Sequence, residues 1–299
     1  MNEADGLQAF QARVRQGVEA FLDRAYDAYP DTVVRQAAVY ASLGGGHRWR
    51  AMATLAAGAI FDPDAFDICL PCACGVELAH AASLILDDLP SMDDAELRRG
   101  KPCVHLVFPP WAVDMAPTFL ILMAYQISLS NPLATHERRV AAAVALSEAG
   151  LRMIGGQEND LAAPLAGERH RADGDGEELL LERYRLKTGE GFAIAAKAGA
   201  ILAGAGPEDV QTLYDCGMAL GISYQIADDV ADQVAATADV AKSVQRDHGK
   251  LTYASLYGLD AARAEADRYR GEALAILDAF GAEADLLRSL VARACCVVV

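Results

Sequence analysis

Positive charge is scarce in this 299-residue chain: 26 Lys and Arg stand against 42 Asp and Glu, a formal net charge of −16. Such a field repels phosphate backbones and anionic lipid surfaces, which argues against nucleic acid as a partner. An anionic small molecule would need bridging cations or a local basic pocket to approach. The first residues, Met1-Asn2-Glu3-Ala4-Asp5, lack the basic and apolar regions of a secretory signal. The apolar runs at 71–86 and 117–129 are shorter than a span or carry Glu77 and His80, so no membrane span is expected and a cytoplasmic location is the default.

Seven cysteines, at 69, 72, 74, 103, 216, 295 and 296, form an odd set in a chain too large to need disulfides. Cys69, Cys72 and Cys74 have no second CxxC and no clustered histidines beside them, so core packing is expected of them rather than zinc. Alternating β-branched stretches bounded by hairpin dipeptides are absent, which leaves a sheet-based fold without support. No repeat or low-complexity linker divides the chain, and one domain over residues 1–299 is expected.

What is present is helix spacing. Phe10, Val14, Val18 and Phe21 recur three and four apart, in segments dominated by Ala, Leu, Glu and Arg. Breaks fall at Gly44-Gly45-Gly46, Asp62-Pro63-Asp64, Pro109-Pro110, Asn131-Pro132 and Gly204 to Pro207, with a loop expected from Gly167 to Glu178. The expected fold class is all-α: one large bundle of about ten helices around a central cavity.

Asp87-Asp88-Leu89-Pro90-Ser91-Met92-Asp93-Asp94 follows an apolar helical segment and precedes Arg98-Arg99-Gly100-Lys101-Pro102. Asp228-Asp229-Val230-Ala231-Asp232 lies in a second apolar segment, with Asp228 and Asp232 on one helix face. Like charges so placed repel unless something positive sits between them. Hard divalent cations want carboxylate oxygens, and Mg²⁺ keeps waters while bridging one or two carboxylates to substrate phosphates. Two clusters facing each other would hold a diphosphate between metals and stabilise it as a leaving group. Two solvated acidic helix faces are the plainer alternative.

Asp87-Asp88-x4-Asp93, the Arg98 to Pro102 stretch and Tyr224-Gln225-Ile226-Ala227-Asp228-Asp229-x2-Asp232 resemble the two aspartate-rich motifs of trans-isoprenyl diphosphate synthases. His80-Ala81-Ala82-Ser83-Leu84-Ile85-Leu86 is similar to the geranylgeranyl diphosphate synthases of bacterial carotenoid-type pathways, and the likeness runs from about Gly44 to Gly258. It implies the isoprenoid synthase fold, a homodimer, and condensation of isopentenyl diphosphate with an allylic diphosphate. By the resemblance, Asp87, Asp93 and Asp228 are the principal ligands of about three Mg²⁺, supported by Asp88, Asp229 and Asp232. Arg98 and Lys187 would grip the allylic diphosphate, with Lys242 and Lys250 closing over it. Thr188 and Gln225 would stabilise the developing cation, and Gln157 would line the pocket.

Isopentenyl diphosphate would sit on a metal-free basic site made by Gly45, Gly46, His47, Arg48, Trp49, Arg50, His80 and Arg99. Arginine forks suit phosphate oxygens. The chain departs from the family pattern at His47, where Lys is usual, and at Ala51, where Pro is usual. A neutral imidazole would weaken the grip, while bound diphosphate favours its charged form.

The growing tail is expected to follow the helix of the first cluster, where Ala82 and Ser83 stand about one turn before Asp87. A turn rises about 5.4 Å, close to one five-carbon unit. Members making C15 products carry an aromatic there, so the resemblance implies a C20 product, geranylgeranyl diphosphate, with a floor at Phe119 or Met123. The rivals are a C15 farnesyl diphosphate synthase, a terpene cyclase on the same scaffold, and a non-catalytic regulatory subunit. His47 and Ala51 motivate the cyclase, and Arg48, Arg50, His80 and Arg99 oppose it. The intact aspartates oppose a non-catalytic role.

Overall fold

A computed structural model describes residues 3–43, 45–173, 176–238 and 251–294. The chain falls into two compact units, Met1–Val144 with Ala198–Ala205, and Ala145–Lys197 with Gly206–Val299.

The first unit holds α1 (Glu3–Tyr26), α2 (Val33–Ser42), α3 (Trp49–Gly58), α4 (Ala65–Asp87), the two-residue strands β1 (Leu97–Arg98) and β2 (Lys101–Pro102), α5 (Val104–Val107) and α6 (Pro110–Leu129). The start of α7 (His136–Asp173) also belongs to it. Thr32 caps α2, its hydroxyl accepting from the Arg35 N–H at 3.2 Å, the preferred chemistry for an N-cap. α4 is apolar on nearly every face, the pattern of a helix surrounded by others, and it packs on α3 and α6. Cys69, Cys72 and Cys74 lie buried in α4 as reduced thiols, where burial raises each thiol's pKa. This is the core role expected of them. Both α4 and α6 are long and apolar enough to cross a membrane, but 61% of the most apolar stretch of α4 is buried within the protein.

The second unit holds most of α7, α8 (Gly176–Tyr184), a π-helical turn (Arg185–Gly189), most of α9 (Glu190–Ala203), α10 (Pro207–Ala238), α11 (Tyr253–Tyr257), α12 (Leu259–Ile276), a 3₁₀ segment (Leu277–Ala284) and α13 (Asp285–Ala294). α10 packs on α12 and on the π turn. A buried carboxylate ties three helices: Arg152 of α7 forks onto Glu190 of α9 at 2.6 and 3.0 Å, and Tyr214 of α10 donates to the same group at 2.7 Å.

The all-α class is therefore correct, with a single antiparallel hairpin of two-residue strands among the described residues. Arg99 (φ 54°) and Gly100 (φ 76°) occupy its two central positions, the left-handed pair of a type I′ turn. Gly167 to Glu178 departs from expectation: α7 continues to Asp173 and α8 begins at Gly176. Glu168, Arg169, Arg171 and Ala172 of that stretch are strong helix formers and carry α7 past Gly167.

Candidate functional site

In the first unit the apolar run of α4 stops at Asp87, and Asp88 caps it. The chain then folds back so that the Asp93 N–H donates to the Asp87 carbonyl at 2.9 Å. Carboxylates at a helix C-terminus face the negative end of the macrodipole, so each needs a positive partner. Arg98 of β1 answers Asp88, 3% exposed, donating Nη2 to Oδ1 at 2.5 Å and Nε to Oδ2 at 3.3 Å, and its charge also acts on Asp87. Asp87 is half-buried and Asp93 exposed.

Next to this turn lies a cationic cluster. His80, two turns before Asp87, has its pKa well below the ordinary imidazole range, through burial first and then the charges of Arg50, Arg99, Arg98 and Arg48. The Arg99 guanidinium lies against Gly46 and donates to the Gly45 carbonyl at 3.4 Å. Gly46 has φ 87°, and a Cβ there would come within 2.7 Å of that guanidinium, so the contact requires glycine. Arg50 is half-buried, while His47 is exposed and stacks on Trp49 with centroids 6.1 Å apart. Arg48 differs from its expected place in the phosphate site: it is 4% exposed and bonded inward to Glu77 and the Ser42 carbonyl. A shallow open cleft is lined by Tyr40, Leu84, Ile85, Asp88, Arg98 and Arg99 among others. Ala82 is buried, and the Ser83 hydroxyl donates to the His80 carbonyl at 2.9 Å. Met123 is buried, and Phe119 packs its ring on Tyr26 and Tyr29.

In the second unit the π turn carries Lys187 and Thr188, a local irregularity of the kind that re-aims side chains at functional sites. Gly156 of α7 makes room for it, since a Cβ there would lie 2.7 Å from the Lys187 backbone nitrogen. Thr188 Oγ1 donates to Gln225 Oε1 at 2.6 Å, and Gln225 Nε2 donates to Asp229 Oδ1 at 2.8 Å. The Tyr184 hydroxyl donates to the other Asp229 oxygen and accepts the Tyr253 N–H at 3.0 Å. Burial still raises the Asp229 pKa to about 6. Asp228 is half-buried and Asp232 exposed on the same helix. Lys187 donates to Asp160 at 2.6 Å, and Arg183 pairs with the other oxygen of that buried carboxylate at 3.4 Å. Gln157 is half-buried on the turn of α7 before Asp160. Lys242 and Lys250 lie outside the described residues.

Asp160, Tyr184 and Arg183 were not singled out by sequence reasoning. The available signal was spacing: Asp160 falls three residues after Gln157, and Tyr184 three before Lys187, on shared helix faces.

Among the described residues, no three His, Cys, Asp or Glu side chains converge closely enough to hold a metal by themselves. Each motif offers hard carboxylate oxygens, the donor type that divalent cations take: Asp87 and Asp93 beside the end of α4 in the first unit, and Asp228 and Asp232 along α10 in the second.

Geranylgeranyl pyrophosphate synthase 11, chloroplastic, from Arabidopsis thaliana is 33% identical over 299 residues, covering 98% of this chain and 82% of the relative. Farnesyl diphosphate synthase from Bacillus subtilis is 33% identical over 267 residues, with 87% of each chain covered. The crystal structure of an FPP/GFPP synthase from Zymomonas mobilis superposes with a TM-score of 0.81 at 30% identity, over 96% of this chain and 98% of that one. The polyprenyl synthetase family model matches residues 31–290, and the chain belongs to that family.

Proposed function

We propose that this chain is a trans-prenyltransferase that condenses isopentenyl diphosphate with an allylic diphosphate to form geranylgeranyl diphosphate. The observation that carries the reading is a set of cations beyond the Arg98 that pairs with Asp88: the Arg99 guanidinium packed on Gly46, with Arg50 acting with it on His80. A cyclase ionising one diphosphate needs no such second anion site.

Asp87, Asp93 and Asp228 would hold the Mg²⁺ of the allylic diphosphate, with Asp232 in support. Mg²⁺, when bound, neutralises charge developing on the departing diphosphate. Arg98 and Lys187 bind phosphate oxygens from positions set by Asp88 and Asp160. The Thr188 and Gln225 oxygens, fixed by their mutual bond and by Asp229, present negative dipoles to the allylic cation. Arg50, Arg99 and His80 hold isopentenyl diphosphate so that its double bond attacks C1 of the cation. The charge of bound diphosphate would favour the protonated form of His80, against the burial and arginine charges that hold its pKa low. No side chain is assigned as the final base, and the released diphosphate takes the proton.

A homodimer is supported by α6, where Trp111, Met115, Leu122 and Leu129 recur at helical spacing on an exposed stripe. Sedimentation of the purified protein tests it.

Product analysis tests the reaction. Diphosphate release should require both isopentenyl and farnesyl diphosphate, and release from the allylic substrate alone would instead mark a cyclase. Ala82→Tyr should shorten the product from C20 to C15, because Ala82 is only 2% exposed and a phenol there must occupy space in the core. An unchanged product would remove Ala82 from chain-length control.

A further inference from the structure

We infer that Glu77 and Arg48 form a buried positioning pair that shapes the anion-binding loop at 43–50, a role that rests on the proposed isopentenyl diphosphate site. Arg48 stands at the N-cap of α3 with left-handed backbone (φ 58°, ψ 33°), and its side chain makes no capping bond there. A non-glycine residue held in that conformation needs surroundings that enforce it.

Glu77 supplies them. The side chains of this pair are only 2% (Arg48) and 4% (Glu77) exposed. One carboxylate oxygen accepts from Arg48 Nη1 at 3.3 Å, and the other accepts the Ala51 N–H at 3.0 Å, in the first turn of α3. The opposite arm of the guanidinium donates to the Ser42 carbonyl at 2.7 Å, at the end of α2. Ser42 is itself fixed, its hydroxyl lying 2.6 Å from that of Tyr26.

One planar group thus ties the end of α2 to a carboxylate of α4, and that carboxylate ties down the start of α3. The loop between, with Gly45, Gly46 and His47, is closed at both ends, and Arg50 leaves it one residue before the clamped Ala51 N–H. Both side chains are buried and bonded inward, so the pair acts on the loop rather than on a ligand. A lysine at 48 carries its donors on a single nitrogen and cannot reproduce the fork.

The test uses full-length protein with Mg²⁺ and two variants, Arg48→Lys and Glu77→Gln. Each should raise KM for isopentenyl diphosphate at least tenfold, leave KM for farnesyl diphosphate and kcat within about twofold, and speed hydrogen exchange at 43–51 but not at 87–93. Equal rises in both KM values, or an isopentenyl KM within twofold of wild type, would overturn the assignment. Should either variant fail to fold, Glu77→Asp keeps the buried charge but shortens its reach. It should show the same split at about threefold, and no split would again count against the pair. Wild-type protein that does not turn over isopentenyl diphosphate would sink the proposed function instead. Exchange at 43–51 then still decides whether the pair shapes the loop.

Discussion

The first aspartate motif closes a helix, whereas the second runs along the inside of one, and the two units meet the resulting charge by different means. At the end of α4 the dipole opposes Asp87 and Asp88, and guanidinium groups answer it: Arg98 forks onto Asp88 while Arg99 and Arg50 gather near His80. Along α10 there is no helix end to oppose, and neutral donors do the work, with Tyr184 and Gln225 both bonded to Asp229. Two cations near this chain of bonds, Lys187 and Arg183, are both paired to Asp160. The same residue type is thus placed in an arginine-rich turn in one unit and in a fixed hydrogen-bond chain in the other. The first arrangement suits phosphate capture, and the second suits holding side-chain dipoles still.

Substitutions that treat the two motifs alike should have the largest effects. Asp87→Ala and Asp228→Ala should each lower kcat/KM by roughly 10²-fold or more, as loss of a transition-state charge stabiliser does. A large loss in only one would make the other motif dispensable. Asp160→Ala should separate the units: it leaves Lys187 and Arg183 without their shared carboxylate and should cost on the order of 3 kcal/mol in urea unfolding. Asp88→Ala, whose partner Arg98 is 40% exposed on its side chain, should cost less.

The pH dependence sharpens the contrast. The folded pKa of Asp229, about 6, lies above its ordinary 3.8, so its neutral form is the one folding favours. Its contribution is fully present below pH ~4 and is lost as pH rises through ~6, at most about 3 kcal/mol. In metal-free protein, Asp229→Asn should flatten the stability profile between these values, and an unchanged slope would place the titration elsewhere. The smallest effect is expected at exposed His47, where His47→Lys should lower KM for isopentenyl diphosphate a few-fold. No change would mean that the loop acts through Arg50 and Gly46 alone.

Much of this was legible in the sequence because it is local. Helix spacing, the glycine and proline breaks and both aspartate motifs are patterns of near neighbours, and the breaks at 62–64, 109–110, 131–132 and 204–207 all fall at helix ends. The pairs that join distant segments were not legible. Arg48 reads as one more basic residue in a phosphate loop until Glu77, 29 positions away, turns it inward. Asp160 reads as one acid on a polar helix face until the π turn brings Lys187 to it. The helix through 167–173 was hidden because a glycine and a charged run look like a loop, although helix propensity summed over the stretch favours continuation.

Calorimetric titration compares the two kinds of diphosphate site most directly. Isopentenyl diphosphate should bind equally well in Mg²⁺ and in EDTA, because arginines hold it, whereas an unreactive thio analogue of farnesyl diphosphate should bind only with Mg²⁺. Loss of isopentenyl diphosphate binding in EDTA, or analogue binding indifferent to it, would contradict the assignment of one site to guanidinium and the other to carboxylate and metal.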